Sequence, residues 1–367
     1  MRQRITFAVL FSVFSAGGWL ACAPGEEVPT LDGGGPGVAT SPVEEGSVGA
    51  SDDAPPSTDG ASSPRDADAG DLEDAQPDAE RDEAAPDAAI GPGPIGVFGD
   101  TLCLNADGPG GEATYPRIER ILGTGAIEAP SDGVYVPPRP HVEEREDDGA
   151  VGPHFAILAI EPTDVNLDLV PMTDGGDRSR TEIKLAPSSG GIHQPFKGHE
   201  GDTFVYTWRF RIDPGMRFAS TFTHIHQIKA NGGLYAEPPL ITFTPVASGV
   251  MDVRHVGDLT TSSVGFTRLG SMPLAGVPGQ WMDVREEITY SNTVGQYKLT
   301  IRDQLGAVAL ALDVAGLQMW RTGANHMRPK WGVYRFHNVS LNQDVDDYLY
   351  LANIGITHGA TPTSTCR

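Results

Sequence analysis

The chain has 367 residues, with 49 Asp and Glu against 26 Lys and Arg, for a formal net charge of −23. No nucleic-acid partner is expected, although the charge of the whole chain says little about the ligand of any one part of it. Three cysteines, none in a Cys-x-x-Cys pair, argue against a thiol-redox centre or a zinc–thiolate framework.

Residues 1–22, "MRQRITFAVLFSVFSAGGWLAC", place Arg2 and Arg4 before an apolar run, then small residues, then Cys22. This is the pattern of an export signal of the lipoprotein type. The run is short and interrupted by Gly17 and Gly18, which disfavours a membrane span. Lipidation is expected at Cys22, although Leu20 stands two residues before it rather than the usual three, so ordinary secretion stays open. The expected location is the outer membrane, through that lipid alone, or the extracellular medium. Residues 23–93 are Ala, Gly, Pro, Ser, Asp and Glu with almost no large apolar side chains. Within 23–90 there are 18 acidic residues and two arginines, which accounts for 16 of the 23 net negative charges. Such a segment cannot offset its ordering entropy by burial and is expected to be a disordered, self-repelling linker. Residues 94–367 have no comparable break and are expected to form one domain, monomeric, and only mildly acidic.

Period-2 alternation dominates this part. "HFAILAIE", "NLDLVPM", "RSRTEIKL", "DTFVYTWRFRID", "STFTHIHQIKA", "PLITFTPV", "MDVRHV", "WMDVREEITYS", "QYKLTIRD", "AVALALDV", "KWGVYRFH" and "DDYLYLANIGI" read as strands, separated by Gly, Pro, Asn and Asp. About a dozen strands without helices predict an all-β fold, a concanavalin-like jelly roll of two antiparallel sheets. In the fourth run Phe204, Tyr206, Trp208, Phe210 and Ile212 share a core face, and Arg209 lies on the outward face. Cys103 and Cys366 flank the domain in an exported chain and are expected to form a disulfide. Closing so long a loop is worth on the order of 4–5 kcal/mol by chain entropy.

Three remote strands carry polar groups at alternate positions. Arg178, Arg180, Glu182 and Lys184 share one face of the first; Gln227 and Lys229 share one face of "HIHQIKA", with His224 and His226 on the other; Lys330 and Tyr334 flank Gly332 in the third. The glycine is read as making room for a ligand. If the strands are neighbours, the faces make a cationic, hydrogen-bonding groove suited to an extended anionic polymer. Each face alone is more often a solvated strand surface. His-x-His can bind a metal on a strand, but no third ligand follows at a convincing spacing, so no metal centre is assigned. "NQDVDD" (342–347) offers oxygen ligands for a structural calcium; no other cofactor is expected.

"RTEIK" (180–184), "QIK" (227–229) and "KWGVYR" (330–335) resemble, in order, the three short motifs of the alginate lyases of polysaccharide lyase family seven, and more closely those of the related glucuronan lyases and heparin-lyase-like enzymes. "GDTFVYTWRFRID" resembles the strand after their arginine motif. The likeness implies β-elimination on a polyuronate. Removing the C5 proton builds charge on the adjacent carboxylate, which Arg180 and Gln227 are expected to stabilise, with Lys229 assisting. Tyr334 matches the family's catalytic tyrosine and is expected to protonate the departing oxygen. It could also act as base if Lys330 or Arg335 lowered its pKa. Glu182 is expected to orient an arginine. Lys229 stands where the alginate lyases have a histidine, which leaves the base open; His193, in the Gly-rich loop "GGIHQPFKGHE", is the candidate imidazole, ahead of His199. Arg178, Lys184, Arg335 and Arg209 are further candidates for holding the polymer. The alternatives are a non-catalytic carbohydrate-binding jelly roll and, more weakly, a hydrolase, which needs two carboxylates flanking the bond.

Overall fold

The computed structural model describes residues 91–134, 137–146, 148–159, 178–234, 236–259, 265–336, 346–362 and 364–367. The expected signal peptide, Cys22, nearly all of the linker and the strand expected at 166–172 lie outside the described residues. The described residues all belong to one compact unit.

The alternating sequence yields alternating burial. β7 (Thr203–Ile212) buries Phe204, Tyr206, Trp208, Phe210 and Ile212 on one side and turns Arg209 and Arg211 to the other. It belongs to a sheet ordered β1 (Gly96–Phe98), β2 (Thr101–Leu104), β16 (Asp347–His358), β7, β12 (Trp281–Thr289), β13 (Gly295–Asp303), β14 (Val308–Leu317). β5 (His154–Ala159) also pairs with β16, and β4 (Val142–Arg145) with β5. The second sheet is ordered β11 (Thr267–Pro273), β10 (Val250–His255), β9 (Ile241–Val246), β8 (Thr223–Asn231), β15 (His326–Phe336), β6 (Arg178–Lys184), β3 (Ile127–Glu128). Every ladder is antiparallel, and the two sheets form the expected all-β jelly roll.

Between the layers Trp208 stacks at 5.6 Å from Phe243 of β9 and 5.0 Å from His226 of β8, and His226 lies 5.8 Å from Trp331 of β15. Burying an apolar ring such as that of Phe243 contributes about 1.5–3 kcal/mol. The core also holds ionisable groups. His226 Nε2 lies 2.8 Å from Glu286 of β12, both fully buried, and Tyr297 of β13 donates to the same carboxylate at 2.6 Å. This polar link ties the two sheets together at one point, since a buried carboxylate is tolerated only with partners.

The helix was not expected. α1 (Thr114–Leu122) presents Ile118, Ile121 and Leu122 to the core. Its buried Arg117 is ion-paired to Asp107 and Glu144, which lets a charged residue sit within a nine-residue helix face. Strands β1, β2, β3, β4 and β11 are likewise additions to the expected set.

Cys103 on β2 and Cys366 are disulfide-bonded, with Cα atoms 5.3 Å apart and a sequence separation of 263. Cys103→Ser with Cys366→Ser is expected to lower stability by about 4 kcal/mol. The denaturant midpoint with and without reductant measures it, and a change below 1 kcal/mol would contradict the loop-closure account.

Candidate functional site

β6, β15 and β8 are consecutive strands of the second sheet, so the three polar faces meet. The register brings Lys229 opposite Arg328, Gln227 opposite Lys330 opposite Lys184, Gly332 opposite Glu182, and His224 opposite Tyr334 opposite Arg180. β3 adds Glu128 opposite Glu182. These charges do not form a solvated strand face: Arg180 is 7 %, Glu182 1 % and Lys330 1 % exposed.

Glu182 is the hub. Lys330 Nζ donates to its Oε2 at 2.5 Å, Gln227 Nε2 donates to its Oε1, and Arg180 Nε lies 3.5 Å away. Glu128 accepts from Arg180 Nη1 at 2.7 Å and lies 2.6 Å from Lys330 and 3.3 Å from Lys184. Burial opposes the Glu128 charge, but Lys330, Arg180 and Lys184 overcome it and hold the carboxyl well below the usual range. The guanidinium of Arg180 lies 4.3 Å from the centroid of the Tyr334 ring. Burial raises the Tyr334 pKa, and Arg180 and Arg178 offset only part of that rise, so the phenol keeps its proton in the free protein. Glu182 lies within ion-pair distance of Arg180, and Glu128 is the carboxylate that accepts its hydrogen bond. No cation lowers the tyrosine far enough to make it a base.

Gly332 does not open the groove. At φ +138° a Cβ there would fall 2.2 Å from Thr181 O on β6. The glycine permits a bulge: Gly332 and Val333 together oppose Ile225, between the pairs Trp331–His226 and Tyr334–His224. Alternation on β8 slips at this bulge. Ile225 and His226 are both fully buried, while His224 emerges beside Tyr334, ring centroids 6.1 Å apart. The expectation that both histidines face the core therefore holds for His226 alone. They do not converge on one ion, and among the described residues no group of three His, Cys, Asp or Glu is placed to bind a metal.

Several candidates lie elsewhere. Arg335 follows Tyr334 and faces the opposite way; it is fully buried, donating to Asp347 Oδ2 at 2.5 Å and Ser179 Oγ at 3.2 Å. Arg209 is on the other sheet, paired with Asp283 and donating to Ala150 O at 3.0 Å. His193 is 1 % exposed, folded into its own loop against Ser188 O and the Gln194 side chain. His199 is exposed and lies 3.5 Å from Asp202. Arg178 remains on the groove side at the aromatic end, 6.0 Å from the Phe222 ring. Of the oxygen ligands offered for calcium, Asp347 is paired with Arg217 and Arg335, and Asp346 with Arg139. Residues 342–345 lie outside the described residues.

Beyond Tyr334 the face turns aromatic. Phe222 lies 4.7 Å from His224 and 5.5 Å from Tyr334, and a pocket lined by Phe222, His224, Pro238, Pro239, Arg254 and Phe266 continues from it. His224 Nδ1 is 2.9 Å from Thr244 Oγ1. Burial first, then Arg254, Lys330 and Arg178, push its pKa down to about 3. His326 is pushed down to about 4, by burial and then by Lys197 and Arg328. Both are held neutral in the fold, whereas the unfolded chain protonates them near 6.5. The unfolded state therefore binds more protons between about pH 6.5 and 4, and stability falls as pH drops through that window. Denaturant midpoints from pH 7.5 to 4.5 are expected to fall, and His326→Gln to flatten the slope; an unchanged slope would refute this assignment.

No protein-family model matches the sequence, and no curated protein matches it. Among solved structures the fold is similar to alginate lyase A1-II′ of polysaccharide lyase family seven: 12% identity, 64% of this chain and 94% of that chain covered, TM-score 0.40. It is similar to an alginate lyase from Pseudomonas aeruginosa at 13% identity, over 62% of this chain and 89% of that one, TM-score 0.39. It is also similar to the catalytic domain of a GH131 β-glucanase from Podospora anserina at 14% identity, over 70% and 92%, TM-score 0.42.

Proposed function

We propose that the groove cleaves a uronic-acid-containing polysaccharide, of the glucuronan, alginate or heparin type, by β-elimination, and that the chain is exported to reach it. The observation that carries this reading is the Arg180–Tyr334 stack set into one buried network with Gln227, Glu182 and Lys330. A cation and an amide lie where a substrate carboxylate can be held, beside a phenol that keeps its proton.

In this reading Arg180 and Gln227 hold the carboxylate and stabilise the charge that builds on it as the C5–H bond breaks. His224 takes that proton, being a neutral imidazole within a ring's breadth of Tyr334 on the same face. Its low pKa keeps it unprotonated beforehand, and the carboxylate brought by the substrate raises its basicity. The C5–H electrons form the C4=C5 double bond, the C4–O bond breaks, and Tyr334 gives its proton to the departing oxygen. The aromatic pocket beyond Phe222 suits the apolar face of a neighbouring sugar.

Incubation with glucuronan, alginate and heparin-type polymers tests the proposal. An ultraviolet absorbance from an unsaturated uronate is expected with at least one of them. Binding without absorbance would make the protein a carbohydrate-binding module, and new reducing ends without absorbance would make it a hydrolase.

A further inference from the structure

The outer face of the other sheet carries a separate cavity of about 420 Å³. Its floor is one rung of the ladder, Thr207 of β7 beside Arg285 of β12 beside Thr300 of β13, and the next rung sets Asp283 beside Arg302. Its wall is the segment from Ser364 to Arg367, which follows β16. That wall is pinned. Cys366 is bonded to Cys103, its carbonyl accepts from Asn105 Nδ2 at 2.9 Å and from Asn353 Nδ2 at 3.2 Å, and Arg367 Nη2 donates to Asp283 Oδ1 at 2.9 Å. The lining is cationic. Arg285, Arg302 and Arg367 contribute to it, and Asp283, the one lining carboxylate among the described residues, is shared by Arg209 and Arg367. Arg285 is offset by Glu287 at 3.1 Å. Arg302 donates to Gly306 O at 3.0 Å and has no carboxylate partner among the described residues. Thr207, Thr300 and Ser364 bring hydroxyls to the same space, and Pro362 an apolar surface. A guanidinium holds a carboxylate with two parallel bonds. The volume falls within the range of about 300–1,000 Å³ usual for small-molecule sites, and a bare phosphate would use the arginines and leave most of it empty.

We propose that this cavity binds a uronic acid residue, with its carboxylate on Arg302 and Arg285 and its ring hydroxyls on Thr207, Thr300 and Ser364. Arg180 and Tyr334 belong to the other sheet, and the cavity shares no residue with their groove. The site therefore stands whether or not the groove cleaves anything. Where the groove does take a polyuronate, the cavity adds a second point of attachment to the same material, which raises apparent affinity for long polymers without touching the reacting bond.

The test uses calorimetric titration of Tyr334→Phe, so that turnover does not intervene, and of the same chain with Arg285→Gln and Arg302→Gln added. The probes are the 4-linked trimer of glucuronate, the same trimer with its carboxyls reduced to alcohols, and inorganic phosphate. The two arginine changes are expected to remove one trimer site per chain, or to weaken it at least tenfold, whatever the groove contributes. The reduced trimer and phosphate are expected to bind this site at least tenfold more weakly than the acidic trimer. Cys103→Ser with Cys366→Ser, which frees the wall, is expected to lose the same site, and thermal melts of each variant report folding. Unchanged stoichiometry and affinity in the arginine variant would overturn the proposal. So would displacement of the trimer by phosphate at equal concentration, which would make the cavity a general anion patch. Displacement by a synthetic peptide of residues 76–90 would overturn it in favour of the chain's own acidic linker as occupant. Elimination is scored separately by ultraviolet absorbance of the unsubstituted protein, and the arginine changes alone are expected to leave its rate on short oligomers unchanged. Its absence alongside loss of a trimer site in the arginine variant would remove the lyase reading and leave this site standing.

Discussion

Tyr334→Phe is expected to lower eliminative turnover by about 10³-fold while leaving polymer affinity within a few-fold. The substitution removes one oxygen and keeps the ring, so the Arg180 guanidinium still stacks at its 4.3 Å separation and Phe222 still packs beside it. Ground-state binding draws on Arg180, Gln227 and Lys330, which the change does not touch. The loss therefore belongs in kcat and not in KM. Initial rates over a range of polymer concentrations give both constants. A variant with more than a tenth of the original kcat would show that the phenol is not the acid. A matching loss of affinity would show instead that its hydroxyl holds the polymer.

Glu182→Ala is expected to cost about 3–5 kcal/mol of stability, the range for removing one partner of a buried charge pair. Glu182 is 1 % exposed, and Lys330, Gln227 and Arg180 all turn toward it. Without it Lys330 keeps only Glu128, and the Gln227 amide loses its acceptor. Glu182→Gln retains an acceptor oxygen and is expected to recover part of the loss. The denaturant midpoint at constant slope gives the difference. A cost below 1 kcal/mol for Glu182→Ala would mean that water or a shifted Glu128 replaces the carboxylate, and that the groove is looser than its packing indicates. Activity is expected to fall in both variants, because Arg180 and Gln227 lose the group that aims them.

Much of the fold is legible in the sequence because β alternation leaves a local signature. β7 shows it, with aromatic and aliphatic residues at every second position, and so do the like-parity polar groups of β6 and β15. Two cysteines at the domain's ends leave one pairing, which the structure has. The rest of the site is set by contacts that sequence neighbours do not encode. Glu128 sits on a two-residue strand, too short to show a period. Arg328 has the parity of Lys330 and Tyr334, but Pro329 beside it reads as a strand boundary. Arg335 and Arg209 have the charge a polymer site needs and the wrong face. Their partners, Asp347 and Asp283, lie in strands that no local pattern links to them. His224 is misplaced by strict alternation because the bulge opposite Ile225 shifts the count by one.

That miscount has an evolutionary corollary. Which side chains line the wall past the tyrosine is governed by how many residues two adjacent strands contribute between fixed rungs, and amino-acid replacement leaves that number alone. Insertion or loss of a single codon in either strand would exchange the imidazole and its aromatic companions for aliphatic residues in one step. Proteins sharing this sheet are therefore expected to diverge in ligand preference abruptly, by indel, while the rungs carrying arginine, glutamine and glutamate stay in place.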